Sequence, residues 1–181
     1  QYGARVFYTA APVRLFDNRL YVPVRTLSKC FGINVGWHAG TRSVVLTRTG
    51  NLPRHDESYY DPDALYWLSR IISAEAKGEP FAGQIAVGNV VLNRVQSSQF
   101  PNTVKGVIFD TKYGTQFSPV SSGTIYQAPT ASAIRAAKIC LEGYSLSTKM
   151  IYFYNPSIAT SSWIGRTRPY IMTIGNHKFY G

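Results

Sequence analysis

Residues 61–95 constrain this chain more than any other stretch. Asp61-Pro62-Asp63 places an N-cap carboxylate before a proline at the first helical position, a strong start signal. Apolar residues then recur at Ala64, Leu68 and Ile71, the spacing of one helix face. The next place on that stripe is taken by Glu75. A carboxylate aimed into the apolar side of its own helix is costly to ionise, and desolvation moves its pKa toward the range of a general acid. The other reading of the same pattern puts Glu75 at the edge of the stripe, reaching solvent. Gly78 and Pro80 end the helix. A second helix is expected over 83–95, with Ile85, Gly88, Val91, Leu92 and Val95 on its buried side.

Charge divides the chain. The net charge is +10 over 181 residues, which favours polyanionic surroundings: nucleic acid, anionic wall polymers or a membrane surface. Residues 1–50 hold seven Lys and Arg against the single acid Asp17, a balance of +6. The remainder carries twelve cations and eight acids, a balance of +4. With the polar stretch around Asn51-Leu52-Pro53, this marks two domains, 1–49 and 61–181, joined by a linker over 50–60. No apolar run approaches a membrane span. The first residues show no charged-then-apolar leader, so the chain is expected either to be intracellular or to have lost a signal peptide. Three Trp and thirteen Tyr suit stacking on sugars or bases.

The front fifty residues read as a small mixed α/β unit. Strands over 13–16 and 20–22 flank Asp17-Asn18, a pair that tolerates positive φ in a tight hairpin. Pro23 opens a helix with Val24, Leu27 and Phe31 on one face, closed by Gly32. Strands over 33–37 and 43–47 follow. The run from Leu20-Tyr21-Val22-Pro23 through Val35-Gly36-Trp37 to Val44-Val45-Leu46 resembles the copper amine oxidase N-terminal-like domain, a module appended to bacterial wall proteins. The resemblance implies wall attachment or spacing, and no copper: His38 is the only His here, and no ligand cluster surrounds it.

Beyond the second helix, Asn102 is expected to cap a short helix over 103–109. An irregular, aromatic-bearing segment over 110–126 contains Tyr113, Gln116, Phe117 and Ser118. A helix over 130–141 and strands over 150–154, 170–174 and 178–180 complete an α+β domain. Cys30 and Cys140 sit on different expected helices among apolar neighbours. They read as buried thiols, an interdomain disulfide being the alternative.

Several motifs in order carry a more specific likeness. Ile72-Ser73-Ala74-Glu75-Ala76-Lys77-Gly78-Glu79-Pro80 is followed by Val91-Leu92-Asn93-Arg94-Val95, then Gln116-Phe117-Ser118-Pro119, then Tyr152-Phe153-Tyr154-Asn155-Pro156, then His177-Lys178-Phe179. Together they resemble the spore cortex-lytic, or SleB-type, cell wall hydrolase domain over about 62–181. That implies a helix-rich, lytic-transglycosylase-like fold with short strands, and maps the family's catalytic acid onto Glu75. Known members join this domain to a different wall-binding module, so the front unit is a departure.

The chemistry implied is cleavage of the MurNAc–GlcNAc bond by one carboxyl that acts first as acid and then as base, forming 1,6-anhydro-MurNAc. Two-carboxylate hydrolysis would need a partner for Glu75. Glu79, Asp110 and Glu142 are the candidates, and none is compelling. Tyr154 and Asn155 would hold a sugar amide and the oxocarbenium-like centre, against a reading of Asn155 as a turn cap. Gln116 and Ser118 would bind sugar hydroxyls or orient Glu75, against a reading of hydrogen bonds internal to their loop. Trp163 is a candidate stacking surface or a packing residue, and His177 a structural or loop-orienting residue. The expected setting is an exported protein of a bacterial cell wall or spore envelope. It needs no cofactor or metal, has peptidoglycan strands and anionic wall polymers as partners and no nucleic acid, and is a monomer. The alternatives are a muramidase that uses water, or a non-catalytic basic glycan binder.

Overall fold

The chain forms two units, Gln1–Tyr59 and Tyr60–Gly181. The structure, a computed structural model, describes residues 3–9, 11–50, 56–112, 114–159 and 162–181. In the first unit, β1 (Arg14–Phe16) and β2 (Arg19–Tyr21) form an antiparallel hairpin. Asp17 and Asn18 make its turn with φ of 46° and 56°, the left-handed pair that a type I′ turn requires. Helix α1 (Val24–Phe31) ends at Gly32, which takes the left-handed conformation that only glycine adopts without strain. β3 (Ile33–His38) and β4 (Ser43–Arg48) form a second, separate hairpin. Its alternation gathers Val35, Trp37, Val44 and Leu46 on one face, with Trp37 and Leu46 exposed. Of the expected linker over 50–60, residues 51–55 lie outside the described residues, and Glu57–Tyr59 form a 3-10 turn.

The second unit opens with α2 (Pro62–Ala76), whose cap Asp61 accepts the Ala64 N–H at 2.7 Å. α3 (Phe81–Gln96) starts two residues earlier than expected. Pro80, not Gly83, sets its first turn, since the Gly83 and Gln84 N–H groups already bond to the Pro80 carbonyl. α4 (Val104–Ile108) is capped by Thr103, whose Oγ1 accepts the Gly106 N–H at 3.0 Å. The cap therefore lies one residue beyond the expected Asn102. The stretch expected to be irregular holds α5 (Ser118–Ser122) and a 3-10 turn, Thr124–Tyr126. Pro119 in its first turn and left-handed Gly123 at its end are the local start and stop signals. Tyr113 lies outside the described residues. α6 (Ala131–Leu141), β5 (Tyr152–Tyr154), α7 (Trp163–Thr167), β6 (Tyr170–Ile174) and β7 (His177–Tyr180) follow. The strands form an antiparallel sheet in the order β5-β7-β6, so the unit is α+β.

α3 is the axis of this unit. It is buried on nearly every side, as Ile85, Ala86, Val87, Val90 and Val91 pack between Leu68, Ile71 and Ile72 of α2 and the alanines of α6. Gly88 makes the crossing close enough: a Cβ there would stand 2.8 Å from Cys140 Sγ and 2.9 Å from Ile72 Cδ1. Both cysteines are buried thiols. Burial lifts the Cys140 pKa to about 12, which leaves the thiol un-ionised.

The polar residues of α3 have structural work. Asn89 bonds to the Tyr144 carbonyl and Leu146 N–H, Asn93 to the Ser147 and Met150 carbonyls, and Arg94 Nε to the Ile151 carbonyl at 2.8 Å. One helix thereby pins the whole approach to β5, satisfying backbone groups that would be costly to bury unpaired. Among the described residues, no helix is long and apolar enough to cross a membrane.

Candidate active site

Glu75 lies on the last turn of α2 and is half-buried. It lines a cleft of about 510 Å³. Gln116 and Ser118 border the cleft from the start of α5, Tyr154 and Asn155 from the end of β5. All five residues singled out in the sequence thus line one cavity. Trp163, at the start of α7, and His177, at the start of β7, line it too.

Burial raises the Glu75 pKa from the ordinary 4.5 to about 7. The carboxyl makes no hydrogen bond or ion pair among the described residues that would offset this, and Glu75 is the only acid among the cleft residues described. The three acids weighed as partners are engaged elsewhere. Glu79 accepts the Asn176 N–H at 2.9 Å and its Nδ2 at 3.0 Å. Partial burial pushes the Glu79 pKa up, but these two bonds and the nearby His177 outweigh it, so the net shift is downward. Glu142 accepts the Tyr60 hydroxyl at 3.0 Å, and Asp110 accepts the Lys112 N–H at 2.9 Å.

The polar residues of the cleft are partly committed. Gln116 donates from Nε2 to the Gly114 carbonyl at 3.0 Å, and Arg94 reaches its Oε1 at 3.5 Å. Asn155 Oδ1 accepts the Ser157 N–H at 2.9 Å, the turn-capping bond weighed as the alternative. Its Nδ2 group makes no hydrogen bond among the described residues. Tyr154 stacks on Tyr180 with ring centroids 5.6 Å apart. His177 is buried between Phe153 and Phe179, and its Nδ1 finds no partner among the described residues. Burial lowers its pKa, against the pull of Glu79, so the ring is neutral at pH 7.

Sequence reasoning missed Arg94 as a cleft residue. It is buried, and its guanidinium lies 4.9, 5.2 and 5.5 Å from the Phe100, Phe117 and Tyr152 ring centroids. Burial lowers its pKa to about 10, which still leaves it charged at pH 7 by about three units. The signal was a cation on an otherwise buried helix face. Its rings come from three separate segments, which no local pattern links.

Comparison with known proteins gives this unit relatives. The family described as Cell Wall Hydrolase matches residues 78–180, and the Copper amine oxidase N-terminal domain matches residues 2–52. The spore cortex-lytic enzyme of Bacillus cereus is 41% identical over 120 residues, 66% of this chain and 45% of that protein. The spore cortex-lytic enzyme of Bacillus subtilis is 42% identical over 112 residues, 62% of this chain and 35% of that protein. The solved catalytic domain of the germination-specific lytic transglycosylase SleB from Bacillus anthracis superposes with a TM-score of 0.61 at 40% identity. It accounts for 68% of this chain and 98% of that one. The chain belongs to the cell wall hydrolase family. It spans less than half the length of these two curated relatives, and the family match begins just past Glu75.

Among the described residues, the copper in the name of the front domain finds no donor set. His38 Nδ1 is taken up by Thr41, 2.8 Å from its Oγ1 and 3.1 Å from its N. Among the described residues, no three His, Cys, Asp or Glu side chains gather as metal ligands.

Proposed function

We propose that this protein cleaves peptidoglycan glycan strands as a lytic transglycosylase, with Glu75 as its acid and its base. The observation that carries the reading is a half-buried carboxyl with a pKa near 7 in a cleft whose described residues include no second acid. Protonated Glu75 donates to the oxygen between MurNAc and GlcNAc, and the C1–O bond breaks with oxocarbenium character on the muramoyl ring. The Glu75 carboxylate then takes the proton of the muramoyl C6 hydroxyl as that oxygen bonds to C1. The products are a 1,6-anhydro-MurNAc end and a free GlcNAc hydroxyl; no water is consumed. A pKa near the working pH suits a group that must give and then take a proton.

Tyr154 and Asn155 hold the sugar amide and the charge-developing ring, while Gln116 and Ser118 bind hydroxyls. The names of the relatives support this reading: two are spore cortex-lytic enzymes, and the matched catalytic domain is that of a lytic transglycosylase. The setting is then the cell wall or spore envelope of a bacterium, reached by export. The protein acts as a monomer, and its front unit attaches it to anionic wall polymer or spaces it from the wall.

Digestion of purified spore cortex and of vegetative sacculi, with mass analysis of the released muropeptides, tests this. The expected ends are 1,6-anhydro-MurNAc, lighter than reducing-end MurNAc by one water. Glu79→Gln, Asp110→Asn and Glu142→Gln should each keep that chemistry. Reducing-end MurNAc as the main product, with activity collapsing in one of those variants, would replace the reading with two-carboxylate hydrolysis.

A further inference from the structure

Beside the Glu75 cleft opens a second cavity, of about 420 Å³. The two share Gln116, Tyr152 and Trp163 as wall residues, so a strand lying in one runs into the other. The second cavity adds Lys112, Arg168, Gln99 and Phe100. Its described residues thus bring two cations and two amides, and no acid.

The Arg168 guanidinium lies 4.7 Å from the Tyr152 ring centroid and 5.9 Å from that of Trp163. These two rings meet edge-on at 5.9 Å. Stacking holds the guanidinium plane in place and leaves its N–H edge available. The side chain makes no hydrogen bond among the described residues. A planar fork of this kind matches a carboxylate bidentately, which a lysine does only as a point charge.

From this geometry we infer that the second cavity is a subsite for a carboxylate carried by the bound glycan, with Arg168 as the fork and Lys112 as the supporting charge. The inference rests on the glycan-cleaving reading above. It adds a substrate requirement: the muramoyl residue beside the cleaved bond presents an anionic substituent. Two sources share that chemistry, the lactyl carboxyl of a peptide-free muramoyl residue and a carboxylate of an attached peptide. A phosphate on C6 of the reacting sugar is excluded, since ring closure uses that hydroxyl.

The test measures binding by calorimetry to the full chain carrying Glu75→Gln, so that the strand is bound without being cut. Three strands are compared: peptide-bearing glycan, peptide-free glycan, and peptide-free glycan whose lactyl carboxyls are converted to methylamides. The carboxylate strand should bind about tenfold tighter than the neutral one at low salt, and the advantage should shrink at about 0.3 M salt as screening sets in. An advantage in the peptide-free strand assigns the lactyl source; one confined to the peptide-bearing strand assigns the peptide.

Adding Arg168→Gln or Lys112→Gln should erase most of the advantage, whereas Arg168→Lys keeps part of it; thermal melting checks that each variant folds. Equal binding of all three strands, or equal losses on charged and neutral strands in Arg168→Gln, overturns the subsite. Cleavage by the unaltered chain is scored separately on sacculi. If it releases no glycan fragment, the underlying reading fails; if it cleaves while the binding arms show no preference for charge, only the subsite fails.

Discussion

Glu75 sets burial against charge within one side chain. Burial lifts its pKa from 4.5 to about 7, a cost to the charged folded state of roughly 3 kcal/mol. The sign follows from proton counting: between these values the folded state holds the proton that the unfolded state has lost. The stability from this group is therefore full below pH 4.5 and lost as pH rises through about 7. Glu75→Gln, which cannot ionise, should unfold at higher denaturant than the parent at pH 8, by about 1–3 kcal/mol, and nearly with it at pH 4. The same variant should lose several orders of magnitude in cleavage while wall binding persists. A parent more stable at pH 8 than at pH 4 relative to this variant would contradict the raised pKa. In the parent, cleavage should fall on the alkaline side with a midpoint near pH 7, read from initial rates across pH. Glu75 was legible because 3.6-residue periodicity is local, and a carboxylate on an apolar stripe stands out in it. Arg94 was not, because the rings that bury it arrive from separate segments.

Among the elements, α3 and its neighbours were the most readable, since long periodic stretches with caps declare themselves. α5 and α7 have five residues each, too few to establish a period. Pro119 and Gly123 marked the first only in hindsight of its hydrogen bonds, and nothing between Pro156 and Tyr170 announced the second. Packing at the α2–α3–α6 crossing yields a sharp expectation. Gly88→Ala improves helix propensity by up to about 1 kcal/mol. Its Cβ, however, would come under 3 Å from Cys140 Sγ and Ile72 Cδ1, both fully buried. Overpacking a close-packed core costs about 1–3 kcal/mol, so the steric term should win and the variant should unfold at lower denaturant. An unchanged midpoint would mean that the helices move apart freely. At the turn joining α2 to α3, Glu79 ties the β6–β7 turn through Asn176. Its lowered pKa means that this contribution is present above the ordinary carboxylate range and is lost as pH falls.

On the scale of the whole molecule, charge and function part company. The second unit matches an isolated catalytic domain over 98% of that domain's length, which argues that it folds without the front unit. Yet the front fifty residues hold +6 of the +10 net charge, scattered from Arg5 through both hairpins and α1. Exposed cations spread in this way form no recognition motif, but they do supply a diffuse attraction to a polyanion. If that attraction is their use, the full chain should sediment with sacculi at low salt far more than a chain of residues 60–181. The difference should fade above about 0.1 M salt, where charges more than about 10 Å apart are screened. Soluble-substrate cleavage by the two chains should be alike, because the described residues of the Glu75 cleft belong to the second unit. A binding difference that survives high salt would assign the front unit to a specific contact, with exposed Trp37 and Leu46 the first side chains to replace. No difference at any salt would leave it a spacer.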